Sequence, residues 1–227
     1  MVVASKRYRK ASERVDRAKL YSVRDAVGLL KTLPPAKFDE TVEIAIHLGI
    51  DPKKSDQLVR GAVSLPKGLG KSVRVVVFAE GGRADEAKAA GADVVGSEDL
   101  AKRIGDGWTE FDVVIAAPDM MKHVGKLGKV LGPQGKMPSP KSGTVTSDVA
   151  QAVREFKAGK VEFRTDPGGS VQAPVGKRSF QNDDLEANVN AFVDHIRHMR
   201  PAAAKGIFIR KVVMSSTMGP GIPLDLR

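Results

Sequence analysis

The chain has 227 residues with 41% hydrophobic content, 37 Lys and Arg against 27 Asp and Glu, and no cysteine. That length carries one large or two small cores, and the missing cysteines exclude disulfides, thiolate metal sites and cysteine nucleophiles. The formal charge of +10 favours a polyanionic partner; with no run near the roughly 20 apolar residues of a membrane span and no apolar signal core at the start, a cytoplasmic location away from membranes is expected.

The charge is unevenly spread. Residues 1–67 hold 14 basic and 8 acidic side chains and residues 160–227 hold 10 and 7, whereas 68–159 are nearly balanced at 13 and 12. The two ends therefore read as one discontinuous basic domain, 1–67 with 160–227, interrupted by an inserted domain over 68–159.

Along the chain, residues 6–19 have a charged helical pattern. Ser22 and Asp25 predict an approximate capping box for a helix that Pro34-Pro35 stops near Leu33. Val42, Ile44, Ile46 and Leu48 alternate with Glu43, Ala45 and His47, the period of a half-buried strand. A turn at 51–56, a short strand over 61–65 and a hinge-like 66–70 follow. The pattern then changes character. Residues 73–78 form the nearly continuous apolar run of a parallel strand covered on both faces, and Gly81-Gly82 leads into an Ala-rich helix over 84–90. Strands at 92–95 and 111–116, with a helix from Glu98 between them, predict βαβ units in a small open sheet. A helix over 120–130 feeds a Gly-, Pro- and Lys-rich stretch, 125–144, and a helix capped by Ser147 or Asp148 ends before Gly159. From Lys160, two strands around Asp166-Pro167-Gly168-Gly169 predict a hairpin. Asp183 or Asp184 caps a long helix to about Met199, and 206–216 form a last strand. The fold class is therefore α/β for the insertion and α+β for the ends, in two domains.

The stretch 125–144 invites a phosphate-cradle reading, which its spacing refuses. A P-loop needs Gly five residues before a Gly-Lys pair and Ser or Thr after it; Gly135-Lys136 has Val130 and Met137 there. Stiffened by Pro133, Pro138 and Pro140, it reads as a surface loop that exposes Lys129, Lys136 and Lys141. Gly81-Gly82 lacks the dinucleotide fingerprint. His47, His123, His195 and His198 are scattered, Ser64 and Ser97 sit in no nucleophile elbow, and Asp39, Glu40 and Glu43 read as a solvated strand end more readily than as an acid–base pair. No cofactor, metal or catalytic machinery is expected. The alternative is a nucleotide-binding enzyme or sensor using the inserted domain.

Two stretches remain, 37–43 and 215–220. Both offer what an RNA surface needs: small hydroxyls, an apolar face, and glycine where backbones approach closely. Phe38 and Met218 are either part of that surface or core residues at strand ends.

Three motifs, AKFDETVE at 36–43, LGPQGKMPSPKSGTV at 131–145 and STMGP at 216–220, resemble the ribosomal large-subunit protein L-one family. The likeness runs over essentially the whole chain. It implies a split ferredoxin-like α+β domain formed by both termini with an inserted Rossmann-like α/β domain. It also implies binding to the stalk segment of large-subunit rRNA, assistance to deacylated tRNA leaving the E site, and repression of translation by binding the messenger of its own operon. The protein would act as a monomer within the ribosome. By motif, Lys37, Phe38, Thr41, Glu43, Asp166, Ser215, Thr217, Met218 and Gly219 are implied rRNA contacts, and Lys129, Lys136 and Lys141 implied contacts to tRNA or the other domain. Ser215, Ser216 and Gln172 depart from the family's usual residues, as do Gln134 and Ser139 in the central stretch.

Overall fold

A computed structural model describes residues 5–225. In chain order its helices and strands begin with α1 (Lys6–Ser12), α2 (Val23–Thr32), β1 (Thr41–Leu48), β2 (Arg60–Ser64), β3 (Val75–Phe78), α3 (Gly82–Ala89), β4 (Val94–Gly96), α4 (Glu98–Gly105) and β5 (Val113–Ala116). Then come α5 (Met121–Lys126), α6 (Gly128–Leu131), α7 (Val149–Ala158), β6 (Lys160–Arg164), β7 (Ser170–Lys177), α8 (Asn182–His198), β8 (Ile209–Ser216) and β9 (Ile222–Leu224). Among the described residues, 5–70 and 161–225 form one compact unit and 71–160 a second.

The first unit is built on a four-stranded sheet in the order β7-β1-β8-β9, with antiparallel neighbours. The alternation in β1 buries Val42, Ile44, Ile46 and Leu48 and turns Glu43 outward. α2 and α8 pack on the sheet and complete one core. Ser22 Oγ accepts the Asp25 amide at 3.1 Å, so α2 starts where the capping pattern predicts. α8 instead starts after Gln181, without a side-chain cap; Asp183 and Asp184 lie in its first turn, where the helix dipole favours them.

Pairing in this unit differs from the expected hairpin. β6 pairs with β2 and β7 with β1, leaving only a Thr165–Val171 bridge and the Asp166 N–H to Ser170 carbonyl bond, 2.8 Å, between the sequence neighbours. Asp166 Oδ1 also accepts from Gly168 N and Ser170 N, both at 2.8 Å, and this tight turn separates the strands instead of zipping them. The helix expected over 6–19 also stops early, at Ser12. Downstream, Asp16 Oδ1 accepts the Ala18 amide at 2.9 Å and the Asp16 amide reaches Tyr21 Oη at 3.2 Å, local bonds that replace helical ones.

One irregularity organises the centre of the unit. Val42 faces Gly176 but Glu43 faces Pro174, so Val175 is the extra residue of a bulge. Its carbonyl accepts from Asn188 Nδ2 at 2.8 Å; the same amide donates to Gly68 O at 3.0 Å, and Asn188 Oδ1 accepts Lys67 N at 3.0 Å. Asn188 is fully buried on α8 and so satisfies the bulge and the segment before Gly70 together.

The second unit has a three-stranded parallel sheet, β4-β3-β5, as the βαβ pattern requires. All four residues of β3 are buried. Asp148 caps α7 by accepting Gln151 N at 2.9 Å, and Gly159 ends it at φ 110°, a conformation suited to glycine. The helix expected over 120–130 is broken at Leu127 into α5 and α6. The stretch 125–144 is not a free surface loop: Leu127, Leu131, Pro138, Ser142 and Thr144 are buried, and Thr144 Oγ1 accepts the Ser139 amide at 2.8 Å.

Candidate nucleic-acid interface

Antiparallel pairing of β1 with β8 brings the two candidate stretches together although they are 176 residues apart. Thr41 N–H donates to Thr217 Oγ1 at 3.0 Å, Thr217 N–H donates to Thr41 O at 2.9 Å, and Thr217 Oγ1 also lies 3.2 Å from that carbonyl. The Thr217 hydroxyl is thus a clasp between strand ends. Lys177 Nζ donates to Thr41 Oγ1 at 3.0 Å from the other neighbouring strand.

On either side of the clasp stand Phe38, 55% exposed, and Met218, 51% exposed. This excludes the reading of both as core residues. Large apolar side chains left in water beside hydrogen-bonded strand ends suit packing on a partner. Lys37 is exposed, Glu43 points outward, and Ser215 faces Glu43 across the ladder, half-buried. Gly219 N–H donates to Ser216 O at 2.9 Å and closes the turn into β9. A Cβ at Gly219 would lie 2.5 Å from Ser216 Oγ, so a side chain there would force that hydroxyl to turn away.

Of the carboxylates expected in a solvated strand end, Asp39 and Glu43 are exposed and Glu40 is not. Asp39 accepts from Ser179 N at 3.1 Å and Ser179 Oγ at 2.8 Å. Glu40 is fully buried and accepts from Arg178 Nη1 at 2.8 Å. Arg178, Ser179 and Arg7 are the residues that sequence reasoning missed. No local signal marks them, because Arg178 meets Glu40 across 138 positions and Arg7 meets Met218 across 211.

Not every predicted residue joins this cluster. Asp166 precedes β7 beyond Ser170, which pairs with His47, whereas Thr217 sits at the Thr41 end of β1. Roughly 20 Å of strand separates them. In the second unit Lys129 and Lys141 are exposed. Lys136 is occupied: its Nζ donates to Thr109 O at 2.9 Å and lies 4.9 Å from the Phe111 ring centre.

Titration in the first unit centres on α8. Burial, and then the charge of His198, hold His195 below its ordinary value, and its ring stacks edge-on against Phe163. Among the described residues no group of three or more His, Asp or Glu is placed to hold a metal ion, and no helix is long and apolar enough to cross a membrane.

Fold and site together define a mixed α/β protein in which the ends of two inner strands carry an exposed apolar pair beside a hydrogen-bonded clasp. Residues 29–220 match the model of the ribosomal protein L1p/L10e family, and the chain belongs to that family. It is 57% identical over 221 residues to the large ribosomal subunit protein uL1 of Kosmotoga olearia, covering 97% of this chain and 96% of that one. It is 53% identical over 223 residues to the uL1 protein of Protochlamydia amoebophila (98% and 94%) and 54% over 221 residues to that of Thermobifida fusca (97% and 94%). The family is one of structural ribosomal proteins, not of enzymes.

Proposed function

We propose that this chain is a constituent of the cytoplasmic large ribosomal subunit that binds the stalk region of large-subunit rRNA through the Thr41–Thr217 edge. The observation that carries the reading is the exposure of Phe38 and Met218 on either side of a hydrogen-bonded clasp in a basic unit. In this mechanism Lys and Arg neutralise phosphates, while Phe38, Met218 and Gly219 pack on a folded RNA surface. Thr217 serves by holding the edge in shape, and Lys37, Thr41, Glu43 and Ser215 line it. Asp166 is left to a separate contact or to its turn.

The first unit, a four-stranded antiparallel sheet carrying two helices, is read as a split ferredoxin-like RNA-binding domain, and the second as an inserted Rossmann-like domain. Assistance to tRNA leaving the E site and repression through the operon messenger are further parts of the proposal. The exposed Lys129 and Lys141 are then the second unit's candidates for tRNA, acting in a single copy per ribosome.

The test is binding of the full chain to a stalk rRNA fragment and to random duplex RNA at matched salt, for wild type and Phe38→Ala/Met218→Ala. A preference for stalk RNA of at least about a thousandfold, lost in the double variant, is expected. Equal affinity for both RNAs refutes the specific reading. Saturable heat on titration with common nucleotides would favour the sensor alternative instead.

A further inference from the structure

A buried charge lies directly behind the exposed apolar pair. Glu40 Oε2 accepts from Arg178, while Oε1 has no hydrogen-bond donor and lies 3.8 Å from Arg7 Nη1. Taking a carboxylate out of water is costly unless cations compensate it, and here two guanidinium groups do so. Each also binds backbone. Arg178 Nη2 donates to Lys31 O at 3.1 Å and to Leu33 O, closing carbonyls at the end of α2 that have no helical partner. Arg7, on α1, donates from Nη1 to Pro34 O at 3.1 Å and from Nη2 to Met218 O at 2.6 Å.

Four points are therefore tied down, three of them consecutive in the chain. Asp39 is held by Ser179, Glu40 by Arg178, Thr41 by Thr217, and the Met218 peptide by Arg7. The first three fix the chain that carries Phe38. Only the last reaches the carbonyl of the second exposed apolar residue. Thr217, before it, is exposed, and the turn holding Met218 has little packing of its own.

We infer that Arg7, oriented by Glu40, is a positioning residue of the RNA surface, fixing the Met218 peptide so that its side chain and Gly219 meet RNA already ordered. This rests on the proposed role of Phe38 and Met218. It assigns α1 to the binding site although its acting side chain faces protein. The guanidinium acts as a fork: Nη1 and Nη2 span Pro34 and Met218, which a single ammonium cannot do. A bare phosphate contact by Arg7 would have different properties. It would need charge rather than a fork, and its loss would reduce the dependence of affinity on salt.

The experiment measures stalk-RNA affinity of the full chain across a salt series for Arg7→Met, Arg7→Lys and Phe38→Ala, with thermal melts of each. Arg7→Met takes one of the two cations from buried Glu40 and should lower the melt, whereas Arg7→Lys keeps that charge and should melt close to wild type, so the lysine variant separates positioning from folding. If Arg7 positions Met218, both Arg7 variants lose about tenfold in affinity at every salt concentration, because the turn must then be ordered on binding. Their plots of log affinity against log salt stay parallel to wild type, and amide exchange at 217–219 quickens in the free protein. Wild-type affinity in Arg7→Lys together with a slope reduced by about 0.7 to 0.9 in Arg7→Met makes Arg7 a phosphate contact and overturns the inference. Wild-type affinity in both variants also overturns it. In that case Phe38→Ala separates the causes: if it binds more weakly the surface stands and only the role of Arg7 falls, and if it too binds as wild type the surface itself is refuted.

Discussion

Asn188→Leu should unfold the two units of this protein at different denaturant concentrations, and the size of the effect follows from the bonds removed. The amide makes three hydrogen bonds, to Lys67 N, Gly68 O and Val175 O, from a fully buried position. Leucine keeps the branched skeleton, is bulkier, and makes none. Lys67 and Gly68 lie near the surface and can turn to water, at about 0.5 to 1.5 kcal/mol for each net bond lost. Val175 O cannot. It belongs to the bulge, has no ladder partner and is buried, so orphaning it costs a further ~1 to 3 kcal/mol. The expected sum, after a small hydrophobic gain, is about 3 kcal/mol, or roughly 10 °C in the melting of the first unit. The single tryptophan makes the assay selective: Trp108 lies in the second core, against Phe111 and Arg103. Its fluorescence follows residues 71–160, while amide exchange on β1 and β7 follows the first unit. The β1 and β7 amides should lose protection in the variant with the Trp108 transition unchanged. Protection within about 0.5 kcal/mol of wild type would refute the claim that Asn188 satisfies the bulge.

Other consequences concern the clasp, the lysines and pH. Thr217→Ser should keep both strand-end bonds and near-normal RNA affinity, whereas Thr217→Val should cost about 1 kcal/mol in stability and weaken filter binding to stalk RNA. Lys136→Met should leave RNA affinity unchanged and lower the urea stability of the second unit, read by Trp108, by about 1 kcal/mol, since it loses the Thr109 bond and its place on the Phe111 ring. For His195 the folded protein favours the neutral ring, so the unfolded chain binds the proton more readily. Stability of the first unit is full above the ordinary value of 6.5 and falls as pH drops through it; His195→Phe should flatten that slope in pH-dependent melts. In the second unit Glu155 is held low by Lys160 and then Gln151. Asp112 is held low by Lys71, by the Arg74 amide and by Lys136, which together outweigh the opposing burial. Both contributions are present above the ordinary carboxylate values and are lost only as pH falls below them, so Trp108 should report the later of two acid transitions.

Much of the local structure was legible because burial is periodic. The alternation of β1, the continuous apolar β3 and the caps Ser22 and Asp148 are all written in neighbouring residues. Pairing is not. β6 and β7 are separated by only five residues and carry a turn between them, yet each completes a sheet with a strand from before the insertion, and nothing within 160–177 encodes that choice. Glu40 shows the same limit for the site. Beside Asp39 and Glu43 it looks solvated, and its burial becomes visible only when Arg178 and Arg7 arrive from 138 and 33 positions away. Thr217 was identified through its motif as an RNA hydroxyl, whereas the geometry occupies it with Thr41. Motifs mark positions without dividing those that touch a ligand from those that hold the touching residues in place.

The Thr41–Thr217 clasp also fixes a schedule. During synthesis the N-terminal segment emerges first, and the whole of 71–160 can collapse on its own core before β7 and β8 exist to pair with β1. β1, an inner strand of the finished sheet, gains its second neighbour only when residues 209–216 are made. A chain stopped before Ser215 could carry a folded insertion but would lack Thr217, Met218 and Gly219, so topology alone keeps such a copy from completing the clasp.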